Sequence, residues 1–396
     1  MIKILHQLGH RHNWNLDCHF ENQIGDGFIF CAYSFPQGKI GTKISNYKPE
    51  QYLPVSFIDL QYYGYKNSRD KGELNTYDFH PAKMEEEGAT VPSYYELIYK
   101  GIEYQIKLGI KKIIIPMRCE ITKDITKFSS FVEEINTYVS KNKQIDIEYY
   151  LTVSFTDSEI KDLEWVEKVL TLLTNINKVF DGYYIVCDTA PEYKKKISVN
   201  YDYYANLTRI FSNLKKNGFK LIYGYANWDA IIFLALTDID YISIGTFENL
   251  RKFNIKRFTE DTGGGPSQGW YFSEKMLNMI RSQELTKLRS SGCIELIKNE
   301  KNIFSDIILN TAYPWANNGN NRPDVHKNYL LSISRELHDV NSKELGNNRI
   351  NYVLNKITEA KKIYKDLYDK KVYLDEESSD YHLSAWETFL KSKLTE

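Results

Sequence analysis

Four charged residues stand directly behind apolar runs in this chain. Asp59 follows Val55–Ile58, Arg118 and Glu120 follow Ile113–Pro116, and Asp188 follows Tyr183–Cys187. A charge at the end of a buried segment is costly unless it has a partner or a task. Asp59, Asp188 and Glu120 have the chemistry of a carboxylate set, one member acting as nucleophile or base and another as acid. Arg118 is suited to clamp a phosphate or carboxylate through two parallel N–H bonds. An Asp59–Arg118 or Asp188–Arg118 ion pair is the purely structural alternative. Gln61, Tyr225, Asn227, Ser243, Gly245 and Thr246 sit at or beside the ends of the other runs and are the expected substrate contacts. Tyr223, Tyr225 and Trp228 supply rings that can stack on a planar base.

Two further groups carry possible chemistry. Four of the eight histidines, His6, His10, His12 and His19, fall in the first nineteen residues. His10-x-His12 after a short first strand resembles the metal-binding start of amidohydrolase-type barrels, which implies a divalent-metal hydrolase. Such a site needs further ligands. No histidine follows a strand between Ile113 and Ile244, so Asp188 and Glu120 would have to serve. Gly263, Gly264, Gly265 and Ser267, in the stretch GGGPSQG, are expected to cradle a phosphate through backbone N–H groups. That stretch lacks the Gly-Lys-Ser/Thr of a Walker loop and the βαβ setting of a Rossmann turn.

The elements that position these residues repeat. Short apolar runs alternate with amphipathic helices from Gly27 to about Gly245, the pattern of parallel βαβ units. Strands are expected at Phe28–Tyr33, Val55–Ile58, Ile113–Pro116, Ile147–Val153, Tyr183–Cys187, Leu221–Tyr225 and Tyr241–Ile244, with Trp270–Phe272 closing the set. Asp124 and Asp157 read as helix caps, as does Asp229 ahead of an apolar helix. Ser93 with Glu96 forms a capping box. Ser273 reads as the cap of a helix through Leu288. The expected fold is α/β: a (β/α)₈ TIM-like barrel over residues 25–310. It has an N-terminal extension over 1–24 (a strand, Ile2–Leu5, and a His-rich loop) and a C-terminal helical appendage over 325–396. In such barrels ligands bind at the carboxyl ends of the strands, where the polar residues named above collect. The long polar stretch from Tyr65 to Val91 is functional or mobile by its length.

Two stretches carry a family resemblance. FIDLQYYG (Phe57–Gly64) is similar in place to the early FxDSGGFQ strand of tRNA-guanine transglycosylases and their deazapurine-inserting relatives. LIYGYANWDAIIFLALTDIDYISIGTFENLRKF (Leu221–Phe253) resembles their glycine-containing strand, small-residue helix and GxD strand in order and spacing. Together they cover about a tenth of the chain. The resemblance implies that Asp59 contacts or activates a base. It also implies departures: Ser243 stands where the family keeps its nucleophilic Asp, the Ser-Gly-Gly after the early Asp is missing, and so is the Cys-x-Cys-x-x-Cys zinc site.

Composition narrows the classes. With 396 residues, 51 basic and 52 acidic, the net charge is −1, which gives no global pull toward nucleic acid or anionic membrane. Lys194–Lys196 and Lys215–Lys216 read as solvated faces. Tyr, Lys, Asn and Ile are abundant together, as in a low-GC bacterial genome, so the 31 tyrosines are mostly core aromatics with a polar tip. Five scattered cysteines without a CxxC pair fit reduced thiols in a cytoplasmic protein. No leader opens the sequence and no apolar run approaches ~20 residues, so no membrane span is expected.

The functional expectation is a divergent barrel enzyme acting on a nucleobase, nucleotide or nucleic acid, with no cofactor required by the residues. A second expectation is a non-catalytic subunit that binds nucleic acid or a protein partner in a larger bacterial complex. A third is the metal-dependent hydrolase built on His10 and His12.

Overall fold

The computed structural model describes residues 1–64, 72–86, 94–175, 177–260, 269–315 and 322–394. Eight parallel strands curve into a nearly closed barrel: β1 Lys3–Leu8, β2 Gly27–Cys31, β3 Ser56–Asp59, β4 Lys112–Ile115, β5 Glu148–Phe155, β6 Gly182–Cys187, β7 Lys220–Ala226 and β8 Tyr241–Gly245. Their order is β3-β2-β1-β8-β7-β6-β5-β4, so every neighbour in the sheet except β1–β8 is consecutive in the chain. The register runs Leu5↔Gly27, Phe28↔Ser56, Lys112↔Glu148 and Lys3↔Tyr241.

Parallel strands buried on both faces read as near-continuous apolar runs, and most of these do. Alternate residues nevertheless serve two separate cores. Leu5, Ile29, Phe57, Ile114, Tyr184 and Ile222 fill the barrel interior. Ile4, Phe28, Ile58, Ile113, Tyr183 and Leu221 pack outward beneath the helices. That is the two-residue period of a strand expressed as two packing layers.

The barrel closes differently from the expected set. Lys3–Leu8 is a full stave between β2 and β8, so the segment read as an extension begins the barrel. Within the His-rich segment, Asn13–Phe20 is a helix. Trp270–Phe272 is a strand, as expected, but it belongs to β9 (Trp270–Ser273), which pairs antiparallel with β10 (Asn278–Arg281) outside the barrel. Ser273 therefore ends a strand rather than capping a helix; its hydroxyl donates to the Ile297 carbonyl at 2.7 Å, and the following helix starts at Ser282.

Among the described residues no backbone ladder joins β3 to β4. The amide of Gln105, on the helix Tyr94–Lys107, takes the place of a strand there. Its Nε2 donates to the Ile114 carbonyl at 2.9 Å and its Oε1 accepts the Ile114 N–H at 3.2 Å. A buried N–H and C=O left unpaired would each cost about 1–3 kcal/mol, so one side chain satisfies both groups at this edge residue.

Local signals account for several helices. Asp124 accepts the N–H groups of Thr126 and Lys127 and starts Ile125–Asn142, whose Phe128, Val132, Ile135 and Val139 are buried. Asp157 is not the cap of its helix: Thr156 caps it, with Glu159 completing the box, and Asp162 caps the next. Ser93 lies outside the described residues. The C-terminal helices Pro323–Asn341, Asn347–Asp369 and Leu383–Lys391 pack on the outside of the barrel. Arg349 ties them to it, donating to the Leu234 carbonyl at 3.0 Å and to Asp238 at 2.9 Å. Among the described residues no helix is long and apolar enough to cross a membrane, and all five cysteines are free and buried.

Candidate active site at the barrel mouth

Asp59 ends β3 and is buried at the carboxyl end of the barrel. Its Oδ1 accepts the Gln61 N–H at 3.0 Å. Its Oδ2 accepts three hydroxyls, from Tyr63 at 3.0 Å, Tyr184 at 3.2 Å and Tyr225 at 3.0 Å. Burial pushes its carboxyl up to about 6, and these four donors hold it from rising further. The donors come from the β3 loop, β6 and β7, so the cluster ties together three staves of the barrel.

Two backbones are bent to make this cluster. Gln61 and Tyr225 have φ of 56° and 53°, a left-handed region that non-glycine residues enter at a cost. The bend aims Gln61 so that its Oε1 accepts the Tyr33 N–H at 2.8 Å and its Nε2 donates to the Tyr225 hydroxyl at 2.7 Å. Ser243 lies one layer away, fully buried. It accepts the Tyr225 N–H at 2.9 Å and donates to Gln7 at 2.8 Å, and Gln7 in turn donates to the Cys31 sulfur at 3.0 Å. Gly245 is needed for close approach: a Cβ there would stand 2.5 Å from the Leu250 carbonyl oxygen. Thr246 is buried, its carbonyl taken by His326 Nδ1 at 2.7 Å.

Beside Asp59 an open cleft of about 300 Å³ lies across the ends of β3, β4 and β5, bounded by Tyr63, Arg118, Glu120, Lys123, Thr156 and Ile255. Tyr63 is the shared wall, one side in the cleft and its hydroxyl on Asp59. Arg118 pairs with Glu120 at 3.2 Å and lies over the Tyr94 ring at 5.6 Å. Among the described residues, neither Asp59 nor Asp188 is its ion-pair partner. The Glu120 side chain is 68% exposed, and a pair so exposed adds little to stability.

Asp188 has a backbone task. Its Oδ2 accepts the Ile255 N–H at 3.0 Å, and it bridges to Phe253. It thereby pins the segment carrying Phe253 and Phe258, whose rings lie 4.7 and 5.2 Å from that of Tyr63. Burial raises its carboxyl, opposed by the Ile255 N–H.

The expected set missed one carboxylate. Asp229 precedes the helix Ala230–Leu236 but makes no cap hydrogen bond with its side chain. It is buried in a cavity at the ends of β6 and β7 with Tyr203, Tyr223 and Asn227. Burial pushes it up to about 7, with the Tyr203 hydroxyl acting against the rise. An Asp at a helix start reads as a cap in sequence; only the tertiary packing turns it inward. Asn227 accepts the Tyr329 hydroxyl at 3.3 Å.

The histidines are held by main chain. His6 Nε2 lies 2.7 Å from the Ile24 carbonyl, His12 Nε2 3.3 Å from that of Lys43 and His19 Nδ1 3.0 Å from that of Gly25. His10 rests against Phe247 and His12 against Phe35. Among the described residues no group of three or more His, Cys, Asp or Glu is arranged to hold a metal ion. Gly263, Gly264, Gly265 and Ser267 lie outside the described residues. No family model and no curated protein matches the chain.

Proposed function

We propose that this protein is a barrel enzyme acting on a nucleobase or nucleotide bound in the cleft between Tyr63 and Arg118. The observation that carries the reading is Asp59. It is a buried carboxylate at a strand's carboxyl end, raised to about 6 by burial against the pull of three tyrosine hydroxyls and the Gln61 N–H, with one of those tyrosines forming the cleft wall. A carboxyl poised there can give a proton to a leaving base or take one from it. Arg118 and Lys123, which both line the cleft, are the cations that face the ligand's anionic group. The resemblance to transglycosylases in Phe57–Gly64 agrees with Asp59 as the base-facing residue. Ser243 is sealed between Gln7 and Tyr225, so the reading takes proton transfer at Asp59, not an aspartyl intermediate at position 243, as the chemistry.

A second reading has its own support. Both oxygens of Asp59 are already occupied, and Phe253 and Phe258 cover Tyr63. A barrel so filled suits a non-catalytic binding subunit with a nucleic-acid or protein partner. Incubating the protein with nucleosides, nucleotides and short RNA, with products followed by mass spectrometry, separates the two. Release or exchange of a base by wild type and its loss in a folded Asp59→Asn variant support the enzyme. Unchanged turnover in Asp59→Asn refutes Asp59's role, and no turnover on any substrate favours the binding subunit.

A further inference from the structure

Asp59 is 2% exposed, and two of the rings that seal its cluster do not belong to the strands. Tyr184 and Tyr225 stand on β6 and β7. Phe253 and Phe258 stand on the segment after β8, which ends in the short helix Lys256–Thr259. Both rings are buried in the interior core. Phe253 lies 4.7 Å from the Tyr63 ring and 5.5 Å from the Tyr225 ring, and Phe258 lies 5.2 Å from Tyr63. Tyr63 and Tyr225 both donate to Asp59, so the segment packs directly on the carboxylate's donors. Ile255 and Thr259 also wall the cleft beside them. Polar groups fasten this segment lightly. It bridges to the barrel at Asp188↔Phe253, and the Ile255 N–H donates to Asp188 Oδ2 at 3.0 Å. Among the described residues the other hydrogen bonds of 254–260 stay within 249–260. Phe258 N–H donates to the Ile255 carbonyl at 2.9 Å, for example, and Arg257 Nη1 to the Asn249 carbonyl at 3.1 Å. The rest of its hold is packing: the rings, and the Arg257 guanidinium 4.8 Å over the Tyr33 ring.

We propose that Phe253–Thr259 is a lid closed over Asp59, with Asp188 as its latch, and that a ligand reaches Asp59 when the lid lifts. The inference rests on the reading of Asp59 as the group that meets the ligand. Lifting the segment breaks its contacts with Asp188 but none of the eight staves' ladders, since β8 ends at Gly245. It takes two phenyl rings off Tyr63 and Tyr225, and so frees aromatic surface for a planar base beside the carboxylate. Ile255 is a wall of the cleft and also the residue held by the latch, so the same movement joins the cleft to the space over Asp59. The latch is a hydrogen bond to a carboxylate, stronger than one between neutral groups. A single substitution removes it without altering any ring around Asp59. A protein that is mostly closed binds more weakly by the fraction that is open. Weakening the latch therefore tightens binding, whereas loss of a merely structural contact weakens it.

Amide hydrogen exchange on the full chain reads the lid without any ligand. Wild type, Asp188→Ala and the double variant Gly64→Cys/Thr259→Cys are compared, each checked for folding by circular dichroism. A Cβ at position 64 would lie 2.6 Å from Thr259 Cγ2, so the two cysteines are within reach of a disulfide that ties the lid down. The Ile255 and Phe258 amides should exchange faster than that of Ile185 in β6. Asp188→Ala should speed both by about tenfold and leave Ile185 unchanged. Oxidation of the double variant should slow both, and dithiothreitol should restore them. Calorimetric titration with the four ribonucleoside monophosphates then reads access. Asp188→Ala should tighten, by about tenfold, whichever monophosphate wild type takes, and the oxidised double variant should lose it. The proposal is overturned if Ile255 and Phe258 exchange no faster than Ile185 in wild type and in Asp188→Ala. Equal binding by the oxidised and reduced double variant overturns it too. Should Asp188→Ala fail to fold, the oxidised and reduced double variant decides by the same readouts. Exchange as expected, with no monophosphate bound by wild type or Asp188→Ala, supports the lid and refutes the nucleotide reading.

Discussion

The Tyr225 hydroxyl donates to Asp59 across the barrel mouth at 3.0 Å, from a backbone held at φ 53°. It also accepts from Gln61 Nε2 at 2.7 Å. Tyr225→Phe removes both bonds and leaves the carboxylate one donor short. We expect a stability loss of about 1–3 kcal/mol at neutral pH, measured by urea unfolding. The Asp59 carboxyl should also move further above about 6, because a donor that favours its charged form is gone. Carboxyl NMR across pH 4–8 reads that shift directly.

Gly224 gives Tyr184 room to reach the same carboxylate. A Cβ at position 224 would lie 2.4 Å from the Tyr184 ring. Gly224→Ala must push the ring aside and break its 3.2 Å bond to Asp59. The expected cost is about 1–3 kcal/mol from overpacking. Combining it with Tyr184→Phe should give less than the sum of the single effects, since both act through one ring.

The open seam offers a test away from the site. Gln105→Met keeps the side chain's length but leaves the N–H and C=O of Ile114 unpaired. The variant should lose about 2–4 kcal/mol, and hydrogen exchange should show the Ile114 amide losing protection while the β6 amides keep theirs.

Acid should unfold the protein through its buried histidines. Burial holds His6 down to about 4, and His80 and His382 down to about 3. Their folded values lie below the unfolded 6.5, so their contribution is full above 6.5 and is lost as pH falls toward 4 and 3. Asp59 and Asp229 act oppositely: with folded values of about 6 and about 7, they favour the fold at low pH and lose that contribution as pH rises through those values. Each group is worth about 1.4 kcal/mol per pH unit inside its window. From pH 6.5 to 5 the three histidines outweigh the two acids, for a net loss from these five groups of roughly 2 kcal/mol. Denaturant midpoints at the two pH values check this. His382→Phe should flatten the slope by about a third of the histidine part, whatever it does to the absolute stability.

Much of the barrel was legible because its strands are apolar on both faces. The stave that sequence misassigned is the one that breaks this rule. In Lys3–Leu8, His6 and Gln7 interrupt the run, and both are buried only because the Ile24 carbonyl, Asn15, Cys31 and Ser243 meet them. Trp270–Phe272 has the composition of a strand and is one, but pairing with Met279 and Ile280 rather than with the barrel is a long-range choice. At the mouth, a charge after an apolar run correctly marked Asp59 and Asp188 as strand-end residues. It did not tell a carboxylate facing tyrosines from one holding a backbone N–H. Asp229 was hidden by its place at a helix start, and the tyrosines around Asp59 by their number.

The central claim is that the cleft beside Asp59 holds an anionic nucleobase-type ligand on Arg118. Thermal-shift titration of wild type, Arg118→Ala and Asp59→Asn against a panel of nucleosides and their mono-, di- and triphosphates tests it most directly. The account predicts that at least one nucleotide stabilises wild type and Asp59→Asn, and that Arg118→Ala loses that stabilisation. A panel without effect on wild type, or an equal shift in Arg118→Ala, would contradict it.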